Sequence, residues 1–130
     1  MIDAHRLRPC GRGSCVSSQA PLTDPTRRIE PLPFAGSTKV ALQAVLTVLA
    51  RVPRARVLER DDASVHAVIR SAVLRVPLDL EIVIASGRDD GSRDLHLRAA
   101  TPLALRERST SRVRAQQLLD LIDRELRAST

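Results

Sequence analysis

The chain has 130 residues, 43% of them hydrophobic and 28% charged, which is enough for one hydrophobic core and too short for two, so any function must sit on one domain. Phe34 is the only aromatic side chain, with no Trp or Tyr, and a protein without rings to stack bases on is a poor holder of single-stranded nucleic acid or RNA. The net charge of +6 comes from arginines scattered from Arg6 to Arg127 among acidic residues, with Lys39 the sole lysine, rather than from a basic stripe able to track phosphates.

Residues 1–27 carry Cys10 and Cys15, with Gly11 and Gly13 close together and no period of two or 3.6, and read as an irregular N-terminal arm ahead of a single domain over residues 28–130. The segment Arg28–Phe34 places Ile29, Leu32 and Phe34 around Pro31 and Pro33, which cannot donate to a sheet, so it is at best an edge strand. Ser37 and Thr38 are N-cap candidates for a helix to about Arg51. Its polar residues Lys39, Gln43, Thr47 and Arg51 recur every fourth position and leave one wet stripe. The remaining apolar surface calls for cover by a second helix, the arm or a second copy of the chain, so a homodimer is a possible partner arrangement.

Strand patterns follow over Arg54–Arg60 and Ser64–Ser71, joined by a turn at Asp61 and Asp62. The plainest alternation is Leu74, Val76, Leu78, Leu80, Ile82 and Ile84, with Arg75, Asp79 and Glu81 between them, one face for the core and one for water. A turn at Ser86–Arg93 leads to a strand over Asp94–Thr101, with Leu95, Leu97 and Ala99 on one face and His96 and Arg98 on the other. From Ser109 or Thr110 onward an amphipathic helix buries Ala115, Leu118, Leu119, Ile122 and Leu126. The expected fold is α+β: an antiparallel sheet of four to five strands with two helices packed on one face.

Pro9, Cys10, the run Cys15-Val16-Ser17-Ser18-Gln19, and Ile29, Pro31, Leu32 and Phe34 resemble the opening signature of the domain-of-unknown-function family 1499. The resemblance continues through Pro53-Arg54, Asp61-Asp62, Arg70-Ser71, Arg75, Asp79, Glu81, Arg98, Arg112 and Arg114. The family strand written RFxDDxEF here reads Arg75-Val76-Pro77-Leu78-Asp79-Leu80-Glu81-Ile82, with Leu78 in place of the first Asp. A family run RSxSRxGxxDxGxNRxR keeps only Arg98, Arg112 and Arg114, because Ala99, Thr101, Pro102, Ala104, Glu107, Ser109 and Ser111 replace its other fixed residues. The resemblance thus implies a fold more than a mechanism.

The polar face of the expected sheet gathers His66, Arg70, Arg75, Asp79, Glu81, His96 and Arg98. Catalytic candidates are Asp79, Glu81 and His96, and ligand-binding candidates are Arg75, Arg98, Arg112 and Arg114. The bland alternative is a solvated face, since no nucleophile elbow, phosphate-binding loop or ligand-spaced His pair accompanies the charges, and Ser17 and Ser18 read as bonding local backbone. Cys10 and Cys15 could form a disulfide, bind metal with His5, or stay free thiols, the default in a reducing cytoplasm. No metal or cofactor is expected. No stretch approaches the roughly 20 apolar residues of a membrane span, and residues 1–19 are polar where a signal peptide needs an apolar segment. As written, the chain is expected to stay in the cytoplasm, with export open only through an upstream leader. The expected function is a non-enzymatic domain binding a small ligand or a protein, against an enzyme or anion site on the polar face.

Overall fold

In the computed structural model, described over residues 6–10, 14–71, 76–86, 91–101 and 109–128, the elements follow the order β1 (Ser14–Ser17), β2 (Leu32–Ala35), α1 (Thr38–Arg51), β3 (Ala55–Arg60), β4 (Ser64–Arg70), β5 (Pro77–Ser86), β6 (Ser92–Thr101) and α2 (Ser109–Ala128). The six strands form one antiparallel sheet in the order β1-β6-β5-β4-β3, with β2 also on β6. The α+β architecture expected from the pattern is present, with one strand more than the upper expectation.

The extra strand comes from the segment read as irregular. Ser14–Ser17 pairs with Arg98–Thr101, while Leu32–Ala35 pairs with Ser92–Leu95, so β1 and β2 lie end to end along the same edge of the ten-residue β6. Four residues are too few to show a period, and all of β1 is buried, so the alternation that marks a half-exposed strand never arises. The prolines do confine the Arg28–Phe34 segment to the sheet edge: its last residues form β2, and its start touches β1 through an isolated parallel bridge between Arg28 and Ser17.

Period two places Leu78, Leu80, Ile82 and Ile84 of β5, Val65, Ala67 and Ile69 of β4, and Leu95, Leu97 and Ala99 of β6 in the core. Burying one such aliphatic side chain contributes about 1.5–3 kcal/mol, and with no large ring available the core is filled by their number and interdigitation. Phe34 is only half-buried at its margin.

Both helices cover this apolar face. Ser37, in extended conformation, caps α1 by accepting a hydrogen bond from Val40 N–H at 3.1 Å, and Gly36 before it takes φ 138°, where a side chain is disfavoured. Ala41, Ala44, Val45, Val48 and Leu49 of α1 are buried, and Arg51 pairs with Glu125 of α2 at 3.2 Å. The wide apolar surface of α1 is therefore met largely by the sheet and α2 within one chain. Among the described residues no helix is long and apolar enough to cross a membrane. The far edge, β3, exposes Val57 and Leu58, but a register shift between Val57 and Glu59 and the charges Arg56, Glu59 and Arg60 discourage pairing with another edge.

Candidate functional site on the outer face of the sheet

The opposite face of the sheet carries the polar residues. Cross-strand register sets His66 beside Glu81, Glu81 beside Arg98, and Val68 beside Asp79, which in turn faces Ala100. Period two therefore delivers Asp79, Glu81, His66 and Arg98 to one patch, and the pairing brings them into bonding range.

Asp79 is the hub. Its Oδ1 accepts from His66 Nε2 at 2.6 Å, and its Oδ2 accepts from Arg98 Nη1 at 3.1 Å and from Arg8 Nη2 at 2.9 Å. Because a carboxylate only accepts, the His66 proton sits on Nε2. Arg8 also forks onto Glu81, with Nε at 2.6 and 3.1 Å from its two oxygens. The Arg8 guanidinium is held above its ordinary value, first by that bond to Glu81 and then by the charges of Glu81, Asp79 and Glu59, against the pull of partial burial.

Arg8 was not among the residues singled out from sequence; the arm that carries it has no periodicity to say where it lands. Three anchors put it there. Leu7 is buried and donates its N–H to Gln19 Oε1 at 2.8 Å, Cys10 is joined to Cys15 of β1 by a disulfide, and Arg8 lies between them. The free-thiol default for the two cysteines is corrected: they are paired. His5 lies outside the described residues.

The Cys15–Gln19 run is occupied with structure. Val16 enters the core; Ser17 Oγ accepts from Gln19 N–H at 3.1 Å, the local bond expected of it. Ser18 departs from that expectation. It stands at the break between β1 and β2, where its N–H donates to Leu97 O at 3.0 Å and its hydroxyl oxygen accepts from Leu97 N–H at 3.0 Å, replacing a missing ladder carbonyl. The same hydroxyl lies 2.8 Å from His96 Nδ1. Burial lowers the His96 pKa, Asp94 opposes that shift, and Arg28 lowers it further. A Ser–His pair suggests a nucleophile, but Ser18 is 2% exposed and its oxygen is held by the sheet.

The catalytic candidates are thus not brought into one enclosed pocket. Asp79 lines a groove of about 680 Å³ toward one end of the face and Glu81 a groove of about 740 Å³ toward the other, while His96 is tied to Ser18. The ligand-binding candidates also separate. Arg98 pairs with Asp79 on the outer face, Arg114 stands half-buried on α2, and Arg75 lies outside the described residues. Arg112 of α2 donates to the carbonyls of Arg28, Pro25 and Thr26 at 3.0, 3.0 and 2.7 Å, pinning the segment between β1 and β2. Ser111 is fully buried and accepts from Ser14 Oγ at 2.9 Å while donating to Ser14 O at 3.2 Å, binding α2 to β1. Among the described residues no group of three or more His, Cys, Asp or Glu is placed to hold a metal ion.

Fold and site together define a small α+β domain whose helices seal one face of an antiparallel sheet and whose charged outer face is strapped by its own N-terminal segment. The chain belongs to the family described as Protein of unknown function (DUF1499), whose model matches residues 6–122. No curated protein matches it.

Proposed function

We propose that this domain is a non-enzymatic binding module and that its outer sheet face receives a small ligand. The observation carrying this reading is the saturation of the acidic residues. Asp79 already accepts from Arg8, His66 and Arg98, and Glu81 is forked by Arg8, so neither oxygen pair waits for a substrate proton. What stays open is the groove space beside them, within the size range of small-molecule sites. The disulfide favours an oxidising compartment over the cytoplasm expected from the sequence, since such bonds persist where thiols are not kept reduced.

A thermal-shift screen with small molecules of mixed charge tests the reading. Ligands of the outer face raise Tm by mass action and lose the effect when Val68→Trp fills the groove floor, and they are recovered chemically unchanged after prolonged incubation. A screen in which no compound shifts Tm, or in which Val68→Trp leaves every hit intact, removes the proposal. Conversion of a hit, abolished by Asp79→Asn, would favour acid–base catalysis instead.

A further inference from the structure

The groove beside Asp79 has a chemical character that names its ligand class. Arg56, Val68, Asp79 and Ala100 form one row across β3, β4, β5 and β6, so the floor is apolar at Val68 and Ala100 and basic at the β3 end. Arg54, Arg70 and Arg98 add three more guanidinium groups to the lining, and Asp79 is the only carboxylate among the described residues there. Asp79 spends its charge on Arg98 and Arg8, which leaves Arg54 and Arg56 without an acidic partner among the described residues.

Two features mark these arginines as more than solvated surface. Arg98 is 89% buried at its side chain by the complement of its 11% exposure, yet among the described residues it gives only one bond, to Asp79, and its Nε is buried without an acceptor. Arg54 holds φ 62°, the left-handed region that a side chain rarely adopts outside strained or functional positions, and from there donates Nε to the main-chain carbonyl of Arg70 at 3.1 Å, which orients the Arg54 guanidinium. Arg56 has no acidic partner among the described residues.

We propose that this groove binds a small amphipathic organic anion, its phosphate or carboxylate head held by Arg54 and Arg56 and its short apolar body lying on Val68 and Ala100. Planar guanidiniums suit such heads because they offer paired donors in a fixed fork. The inference rests on the binding-module reading and adds the charge and polarity of the ligand.

Isothermal titration calorimetry with hexyl phosphate, hexanoate, hexylamine and hexanol, against wild type, Arg56→Glu, Arg56→Gln, Val68→Trp and the helical-face control Arg124→Glu, tests it. One of the two anions binds wild type at a single site. Arg56→Glu weakens it at least tenfold, Arg56→Gln weakens it less, and Arg124→Glu changes it less than twofold. Phosphate over hexanoate, or the reverse, identifies the head group. Equal weakening by Arg56→Glu and Arg124→Glu would mean diffuse charge attraction and overturn the proposal. Saturable binding of hexylamine or hexanol alone, lost in Val68→Trp, would overturn the anion assignment and leave the binding module standing. Absence of binding by all four compounds would overturn the anion proposal, while the binding-module reading stands or falls with the thermal-shift screen.

Discussion

Reduction of the Cys10–Cys15 disulfide should cost this domain stability by an amount set by the loop it closes. The two cysteines are five positions apart, and closing so short a loop restricts the unfolded chain by about 2 kcal/mol in the chain-entropy treatment. For a domain of this length, with an unfolding entropy of about 2.1 cal/mol/K per residue, that corresponds to a fall in Tm of about 8 °C. A second, smaller effect comes from Arg8, two residues before Cys10, whose hold on Glu81 and Asp79 depends on the segment being tied to β1. Arg8 is 59% exposed, so solvent screening limits its ion pairs to about 1 kcal/mol at most. Urea unfolding of the oxidised protein, the reduced protein and a Cys10→Ser, Cys15→Ser double variant reads both effects. The reduced protein and the double variant should agree, and Arg8→Ala should cost measurably less in them than in the oxidised protein. Oxidised and reduced forms of equal stability, or an Arg8→Ala cost unaffected by the disulfide, would refute the strap.

Ser18→Ala should destabilise by about 1–3 kcal/mol in denaturant titration, because it strips Leu97 N–H of its acceptor in a buried stretch of sheet; a change under about 0.5 kcal/mol would contradict the ladder-filling role. Since the folded His96 pKa lies below its ordinary 6.5, the unfolded chain binds more protons at this site. Its contribution to stability is therefore intact above that value, begins to fall as pH drops through it, and is fully lost below the depressed folded value. His96→Gln should flatten that segment of the stability–pH curve. Arg54→Gly exchanges relief of roughly 1–2 kcal/mol of left-handed strain for loss of a hydrogen bond worth about 0.5–1.5 kcal/mol. Tm should hold or rise slightly while affinity for the anion that binds the groove falls several-fold; a large stability loss with unchanged affinity would show the backbone of Arg54 to be structural alone.

The strands and helices of the core were legible because each repeats one choice many times. The β5 alternation of Leu78, Leu80, Ile82 and Ile84 against Asp79 and Glu81 fixes both a core and an outer face. The outer-face cluster was legible to the extent that period two assigns faces, and it correctly placed His66, Asp79, Glu81 and Arg98 together. Which groups bond is decided by register and by segments without period, so Arg8 and the choice of His66 over His96 as the partner of Asp79 were out of reach. Arg54 and Arg56 carried a faint signal: they bracket Ala55 at the start of β3, but only the pairing of Arg56 with Val68 sets them beside a groove. The Ser-Ser pair in the Cys15–Gln19 run misleads by composition, since a hydroxyl that completes a β-ladder looks the same in sequence as one that closes a turn.

The most direct test of the account is a ¹⁵N–¹H chemical-shift map recorded while hexyl phosphate or hexanoate is titrated into the oxidised protein. Amides of Val68, Asp79, Arg98 and Ala100 should move together along one saturating curve, with those of Leu118 and Ile122 in α2 unmoved. A map in which the outer-face amides stay fixed, or in which the helical layer responds first, would contradict it.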